Sequence, residues 1–150
     1  MKMSRIVFLT GENIGADASE TQHLYRRIVS FRKCSEVAVI TQEASLYAEK
    51  AGCQHVVHLT ADRSSQDAAV EVVKQADMLV IIGMSPGTEL SASLLNATCP
   101  ECNIAIINNG NMALPKNLHR EHVVRMRDMS VGTGLLFLSM YHWLKDLIEE

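Results

Sequence analysis

The chain has 150 residues, 47% of them hydrophobic, a formal net charge of −3 and a pI of about 6.1. That length and composition suit one domain, residues 1–150, with a core that needs no disulfide staples. The balance lacks the basic stripe that nucleic acid or an anionic membrane would require, so neither is expected as a partner.

The first strand is expected over Arg5–Thr10, and it runs straight into the turn Gly11-Glu12-Asn13-Ile14-Gly15. Consecutive apolar residues in such a run are buried on both faces, as in a parallel sheet covered by helices on each side. In the helix that follows, Ala18, Leu24, Ile28 and Phe31 recur at helical spacing while Glu20, Arg26 and Arg27 supply a polar face. The second strand covers Glu36–Ile40 and the third His55–Leu59. Ser64-Ser65 reads as the N-cap of a helix that runs through Ala68, Ala69, Val72, Val73 and Ala76 before the next strand.

A fourth strand, Met78–Gly83, enters a second Gly-containing turn at Gly83-Met84-Ser85. Ser85-Pro86-Gly87-Thr88-Glu89 then leads to a helix over Leu90–Ala97. Cys99-Pro100-Glu101-Cys102 reads as a helix-to-strand turn before the fifth strand, Asn103–Ile107. Asn108-Asn109-Gly110-Asn111 follows as a turn rich in residues that tolerate positive φ. The sixth strand is His122–Met126, and a closing helix starts near Val131-Gly132-Thr133-Gly134.

This alternation of strands and helices predicts an α/β fold, a doubly wound, six-stranded parallel sheet of Rossmann type. The two strand ends that meet Gly turns would frame one crevice, and ligands in such sheets sit outside the carboxyl ends of the strands.

Cys34, Cys53, Cys99 and Cys102 are too few and scattered for a disulfide framework and are expected as reduced thiols. The Cys99–Cys102 spacing fits a redox or half-zinc motif, but no second pair completes a zinc site. His23, His55, His58, His119 and His122 form no metal spacing on one helix face. Met112, Met126, Met129 and Met140 are expected to fill core gaps. The first residues lead into a strand instead of a signal-peptide pattern, so a cytoplasmic protein is expected. The longest apolar stretch, from Leu135 to Leu144, is broken by Ser139 and His142 and falls short of the ~20 residues of a membrane span. Leu136, Met140, Trp143, Leu144 and Leu147 of the closing helix read as a core face; a homodimer follows if part of it is exposed.

Four blocks of the sequence resemble the Rossmann half of the sirtuins, the NAD-dependent protein deacylases. Residues Ile6–Gly15 resemble that family's opening strand and Gly-Ala-Gly-Ile-Ser loop. Val39-Ile40-Thr41-Gln42-Glu43-Ala44-Ser45-Leu46 through Ala51-Gly52 resembles Thr-Gln-Asn-x-Asp-x-Leu-His-x-x-Ala-Gly. Val56–Ala61 is similar to a strand ending in Leu-His-Gly, and Ala76–Ser85 with Ile106-Ile107-Asn108 is similar to Ala-Asp-Leu-x-x-x-x-Gly-Thr-Ser and Ile-Ile-Asn. The blocks keep order and phase over most of the chain. Between Thr60 and Asp77 there is no four-cysteine module, and too few residues precede Glu36 to hold a helical lobe. The resemblance therefore implies a minimal sirtuin large domain with no zinc small domain and no zinc.

The resemblance also implies where chemistry has been lost. The family's general base on the nicotinamide ribose falls at Thr60, and its Asn and Asp of the nicotinamide pocket fall at Glu43 and Ser45. Threonine takes up no proton near neutral pH. His58, two strand positions back, is a substitute base displaced by about 6–7 Å. Glu12 and Asn13 replace Ala and Gly in the phosphate loop, placing a carboxylate beside a pyrophosphate site, and Thr21-Gln22-His23-Leu24 replaces Pro-Asp-Phe-Arg. Gly11, Asn13, Ile14, Gln42, Gly83, Ser85, Asn108 and Gly132 remain as cofactor-binding positions, suited to NAD or ADP-ribose.

Three readings stay open. One is a small-molecule nucleotide binder without deacylase activity. Another is a NAD-consuming hydrolase, transferase or deacylase that uses Glu43, His58 or Asp17 in place of the usual base. The third is an interaction scaffold whose crevice is closed by Glu12 and Met84.

Overall fold

The computed structural model describes residues 4–10, 26–31, 33–41, 52–53, 55–60, 62–82, 89–107, 123–126, 142 and 144–146. The strands are β1 (Ser4–Thr10), β2 (Cys34–Thr41), β3 (His55–His58), β4 (Met78–Ile82), β5 (Asn103–Ile107) and β6 (Val123–Met126). Helix α1 (Arg63–Lys74) joins β3 to β4, and α2 (Glu89–Asn96) lies between β4 and β5. All six strands form one parallel sheet in the order β3-β2-β1-β4-β5-β6. The α/β doubly wound reading and its six strands hold.

Alternation along the strands divides the core into two layers. Ile6 and Phe8 of β1, Val37 and Val39 of β2, Met78 and Val80 of β4 and Ala105 of β5 pack with Ile28, Phe31, Cys53 and Leu144. The intervening residues Val7, Leu9, Ala38, Ile40, Leu79, Ile81, Ile104 and Ile106 pack with Ala69 and Val73 of α1 and Leu94 and Leu95 of α2. Helical residues 26–29 and 144–146 thus contribute to one layer, and α1 and α2 to the other. Each fully buried Leu or Ile contributes about 1.5–3 kcal/mol through removal from water. A central strand can be apolar at every position only because both faces are covered.

Several boundaries differ from the sequence expectation. β2 begins two residues early, because Cys34 pairs with Ser4 across a register irregularity and the Ser35 hydroxyl donates to the Ser4 carbonyl at 3.2 Å. It also runs one residue further, to Thr41. β3 stops at His58, although Leu59 N still donates to the Thr41 carbonyl at 2.7 Å.

The α1 N-cap is Asp62, not Ser64 or Ser65, and its side chain makes no capping bond. Ser65 lies inside the first turn instead. Ala68 is exposed, while Ala69, Val73 and Ala76 are buried. Ile28, Phe31 and Leu144 are buried as their spacing predicts, and Arg26 and Arg27 are exposed. Of the closing helix, Leu136, Met140, Trp143 and Leu147 lie outside the described residues.

At the amino edge of the sheet the chain is tied together by backbone bonds. Asp77 N donates to the Arg5 carbonyl at 2.9 Å, and Asn103 N donates to the Asp77 carbonyl at 3.0 Å. The Asp77 carboxylate accepts from Arg5 N at 2.9 Å. These links set the registers of β1, β4 and β5 at their starts and carry that alignment to their carboxyl ends. No helix among the described residues is long and apolar enough to cross a membrane.

Candidate functional site

The six strands end on a single lateral row. Thr10, the last residue of β1, is the register partner of Thr41 on one side and Ile82 on the other. Thr41 pairs with His58, Ile82 with Ile107, and Ile107 with Met126. Each of these residues closes its strand. The carboxyl edge is therefore flush, and it divides in residue type at its middle: His58, Thr41 and Thr10 on the β3-β2-β1 side, Ile82, Ile107 and Met126 on the other.

The strand order reverses direction between β1 and β4. From β1 the chain steps outward to β2 and β3, then returns to the other flank of β1 for β4, β5 and β6. In doubly wound sheets the connections on the two sides of such a reversal diverge to opposite faces, and ligands bind above the adjoining strand ends. Here those ends are Thr10 and Ile82, about 4.8 Å apart in the hydrogen-bonding direction.

Thr10 and Thr41 are 2% and 6% exposed, and they are the two buried polar side chains among the described residues. By alternation both lie on the face of Phe8 and Val39. Sequence reasoning assigned them no role. A usable signal was present: Ile6-Val7-Phe8-Leu9-Thr10 and Val37-Ala38-Val39-Ile40-Thr41 each close an apolar run on a threonine, and the two runs are paired residue by residue.

Thr60 sits in the turn between β3 and α1, where its hydroxyl is already engaged. Asp62 N donates to Thr60 Oγ1 at 3.1 Å, and Thr60 Oγ1 lies 3.1 Å from Ser65 Oγ. Ser65 Oγ accepts from Thr60 N at 3.1 Å and donates to the Asp62 carbonyl at 2.8 Å. Gln66 Nε2 donates to the Thr60 carbonyl at 3.3 Å. This network holds the Asp62 amide and ties the entry of α1 to the Thr60 turn. His58 ends β3 beside Thr41 and is exposed.

The remaining site positions read from the sequence, Gly11, Asn13, Ile14, Gln42, Glu43, Ser45, Gly83, Ser85, Asn108 and Gly132, lie outside the described residues. So do Glu12, Asp17 and Met84. In sequence, Gly11 and Gly83 follow directly on the register partners Thr10 and Ile82, and Gln42 follows Thr41. Asn108 follows Ile107, the register partner of Ile82.

A cavity of about 270 Å³ lies at the opposite, amino edge, lined in part by Arg5, Glu36, Ala38, His55, Ala68 and Gln75. Its polar side chains face each other. Arg5 Nε lies 3.8 Å from Glu36 Oε2, His55 Nδ1 lies 3.9 Å from Glu36 Oε1, and the Arg5 guanidinium donates to Gln75 Oε1. This cavity lies at the amino ends of the strands, away from the reversal point between Thr10 and Ile82. Among the described residues no group of three His, Cys, Asp or Glu side chains is arranged to hold a metal ion.

No family model matches the sequence, and no curated protein matches it. Solved structures do. A Sir2 homologue in complex with NAD aligns with a TM-score of 0.66 at 11% identity, over 96% of this chain and 90% of that one. A mutant Sir2 homologue in complex with ADP-ribose gives 0.66 at 12% identity, over 97% and 93%. A Sir2 protein bound to a myristoylated histone peptide gives 0.61 at 13% identity, over 95% and 92%. The chain therefore has the sirtuin-like, Rossmann-type fold of these Sir2 structures.

Proposed function

We propose that the protein binds an adenine nucleotide of the ADP-ribose or NAD type in the crevice above the paired ends of β1 and β4, and that it does so without protein deacylase activity. The observation that carries the binding reading is the flush carboxyl edge, with its strand reversal between Thr10 and Ile82. In sequence, each of those two ends continues into a Gly-containing segment. Glycine permits close approach of backbone N–H groups to a phosphate, which is how such crevices hold dinucleotides. The fold shared with Sir2 proteins solved with NAD and with ADP-ribose supports the same ligand class.

The absence of deacylation is supported by Thr60. A general base must accept a proton near neutral pH and stand within hydrogen-bond reach of its substrate. A threonine hydroxyl fails the first requirement by chemistry, and here it is occupied by Asp62 N and Ser65 Oγ. Glu43 and Ser45, in place of an amide and a carboxylate, remove the polar pair expected to order nicotinamide. The adenosine and ribose side of the crevice, through Gly83, Ser85, Asn108 and Gly132, keeps residues suited to binding.

The test is thermal unfolding of the purified chain with NAD, ADP-ribose, ATP and nicotinamide. A ligand at a hundredfold excess over its Kd adds about 2.7 kcal/mol of stability. Stabilisation by ADP-ribose, without consumption of NAD, is the expected result. NAD consumption that is lost in Glu43→Gln or His58→Ala would establish the enzymatic alternative, and no stabilisation by any of the four would favour a scaffold.

A further inference from the structure

The connection from α2 to β5 holds two sulfurs in one tight turn. Cys102 N donates to the Cys99 carbonyl at 3.1 Å, which closes Cys99-Pro100-Glu101-Cys102 as a hydrogen-bonded β-turn. Pro100 at the second position pre-sets the backbone for it. Such a turn holds its first and fourth Cα atoms within about 7 Å. A disulfide spans Cα separations of about 4.4–6.8 Å, so the backbone brings the pair into bonding range without moving a strand or helix.

Both side chains meet the same apolar cluster under α1 and α2. Cys102 is a buried member of it, 2% exposed, and half-buried Cys99 packs against its surface. Their polar contacts are long and weak: Cys99 Sγ lies 3.8 Å from the Ala76 carbonyl and Cys102 Sγ 3.6 Å from the Asn103 carbonyl. Neither contact has to be broken at much cost for the sulfurs to turn toward each other.

We propose that Cys99 and Cys102 form a reversible dithiol–disulfide site, oxidised by exchange with a small-molecule disulfide of the glutathione class. This goes beyond nucleotide binding and is independent of it. Cys99 is the more exposed sulfur and reacts first. As a thiolate it attacks one sulfur of the small disulfide, that S–S bond breaks, and one small thiol leaves after taking up a proton. Cys102 then gives its proton to solvent and attacks Cys99 Sγ, which forms the Cys99–Cys102 bond and releases the second small thiol. Two electrons pass from the protein to the small disulfide, and the products are one protein disulfide and two small thiols.

The surroundings favour the oxidised state once formed. Burial pushes the Cys102 thiol up to about 12, and the nearby Cys99 and Asp77 add to that rise. The reduced pair thus lacks the stabilised thiolate that makes strongly oxidising pairs prefer the dithiol. The same burial makes the second step slower than the first.

The experiment incubates the full-length chain in glutathione buffers of graded disulfide-to-thiol ratio, followed by peptide mass mapping under non-reducing conditions. The expected product is an internal Cys99–Cys102 disulfide, lighter by two hydrogens, that dithiothreitol reverses. Cys102→Ser should stop at a mixed glutathione disulfide on Cys99, and Cys99→Ser should leave Cys102 unmodified. A Cys34→Ser/Cys53→Ser double variant should form the same bond. A persistent glutathione adduct on wild-type Cys99, two free thiols under the most oxidising buffer, or pairing of either residue with Cys34 or Cys53 would overturn the proposal.

Discussion

Thr10 and Thr41 stand side by side as the closing residues of β1 and β2, both buried and both on the same face of the sheet. Both close their strands at the carboxyl edge, next to the proposed nucleotide site. Replacing either with valine keeps the branched shape and strand preference while removing the oxygen. Thr10→Val and Thr41→Val should each weaken ADP-ribose binding two- to tenfold, the worth of one net hydrogen bond of about 0.5–1.5 kcal/mol. Calorimetric titration checks this, with far-ultraviolet circular dichroism unchanged.

Ser64 and Ser65 adjoin in sequence but differ in what they hold. Ser65 Oγ connects Thr60 N, Thr60 Oγ1 and the Asp62 carbonyl, whereas Ser64 is exposed. Ser65→Ala should cost about 1–2 kcal/mol, comparable to the loss of a helix cap. Ser64→Ala should stay within about 0.5 kcal/mol of wild type, as an exposed substitution does. Urea unfolding of the two variants separates them.

That contrast shows what the sequence could and could not reveal. The strands were legible because Val, Ile and Leu in unbroken runs have one explanation in a folded chain, burial on two faces. The parallel, doubly wound class followed from strands alternating with helices, while the strand order was not read. The helix starts earlier than Ser64-Ser65 suggests because that chemistry comes two to three residues late: Asp62 sets the start through its extended backbone, at φ −68° and ψ 130°, without a side-chain bond. Thr10 and Thr41 were overlooked because a threonine in a strand is unremarkable until register puts two of them together. Thr60 stands two residues beyond the end of β3, and its bonds to Asp62 and Ser65 depend on a turn that no local pattern announces.

Gly52 is left-handed at φ +94°, immediately before buried Cys53 and the start of β3. A Cβ there would meet Val29 Cγ1 at 3.7 Å, an ordinary contact, so space is not the constraint. The cost of Gly52→Ala is conformational and should be about 1–2 kcal/mol. Gly52→Asn should cost less, because asparagine visits this region more readily. Thermal unfolding of both variants tests the order.

Two buried thiols make the fold sensitive to alkali. Burial, reinforced by Cys34, pushes Cys53 from its ordinary 9.0 up to about 12, and Cys102 rises to a similar value. Between these limits the unfolded chain has lost the thiol protons while the native chain keeps them. Stability is therefore full below about pH 9 and declines as pH rises toward 12, by up to about 1.4 kcal/mol per pH unit for each thiol. Cys53→Ala and Cys102→Ala should each flatten that decline, measured by urea unfolding between pH 8 and pH 11 against wild type.

Nucleotide binding at the carboxyl edge of the sheet is tested residue by residue by backbone amide chemical shifts during an ADP-ribose titration. Saturable shifts at Thr10, Thr41, Ile82 and Ile107, with Arg5, Glu36 and His55 at the amino-edge cavity unmoved, are the predicted result. Shifts confined to Arg5, Glu36 and His55, or none at saturating ADP-ribose, would contradict it.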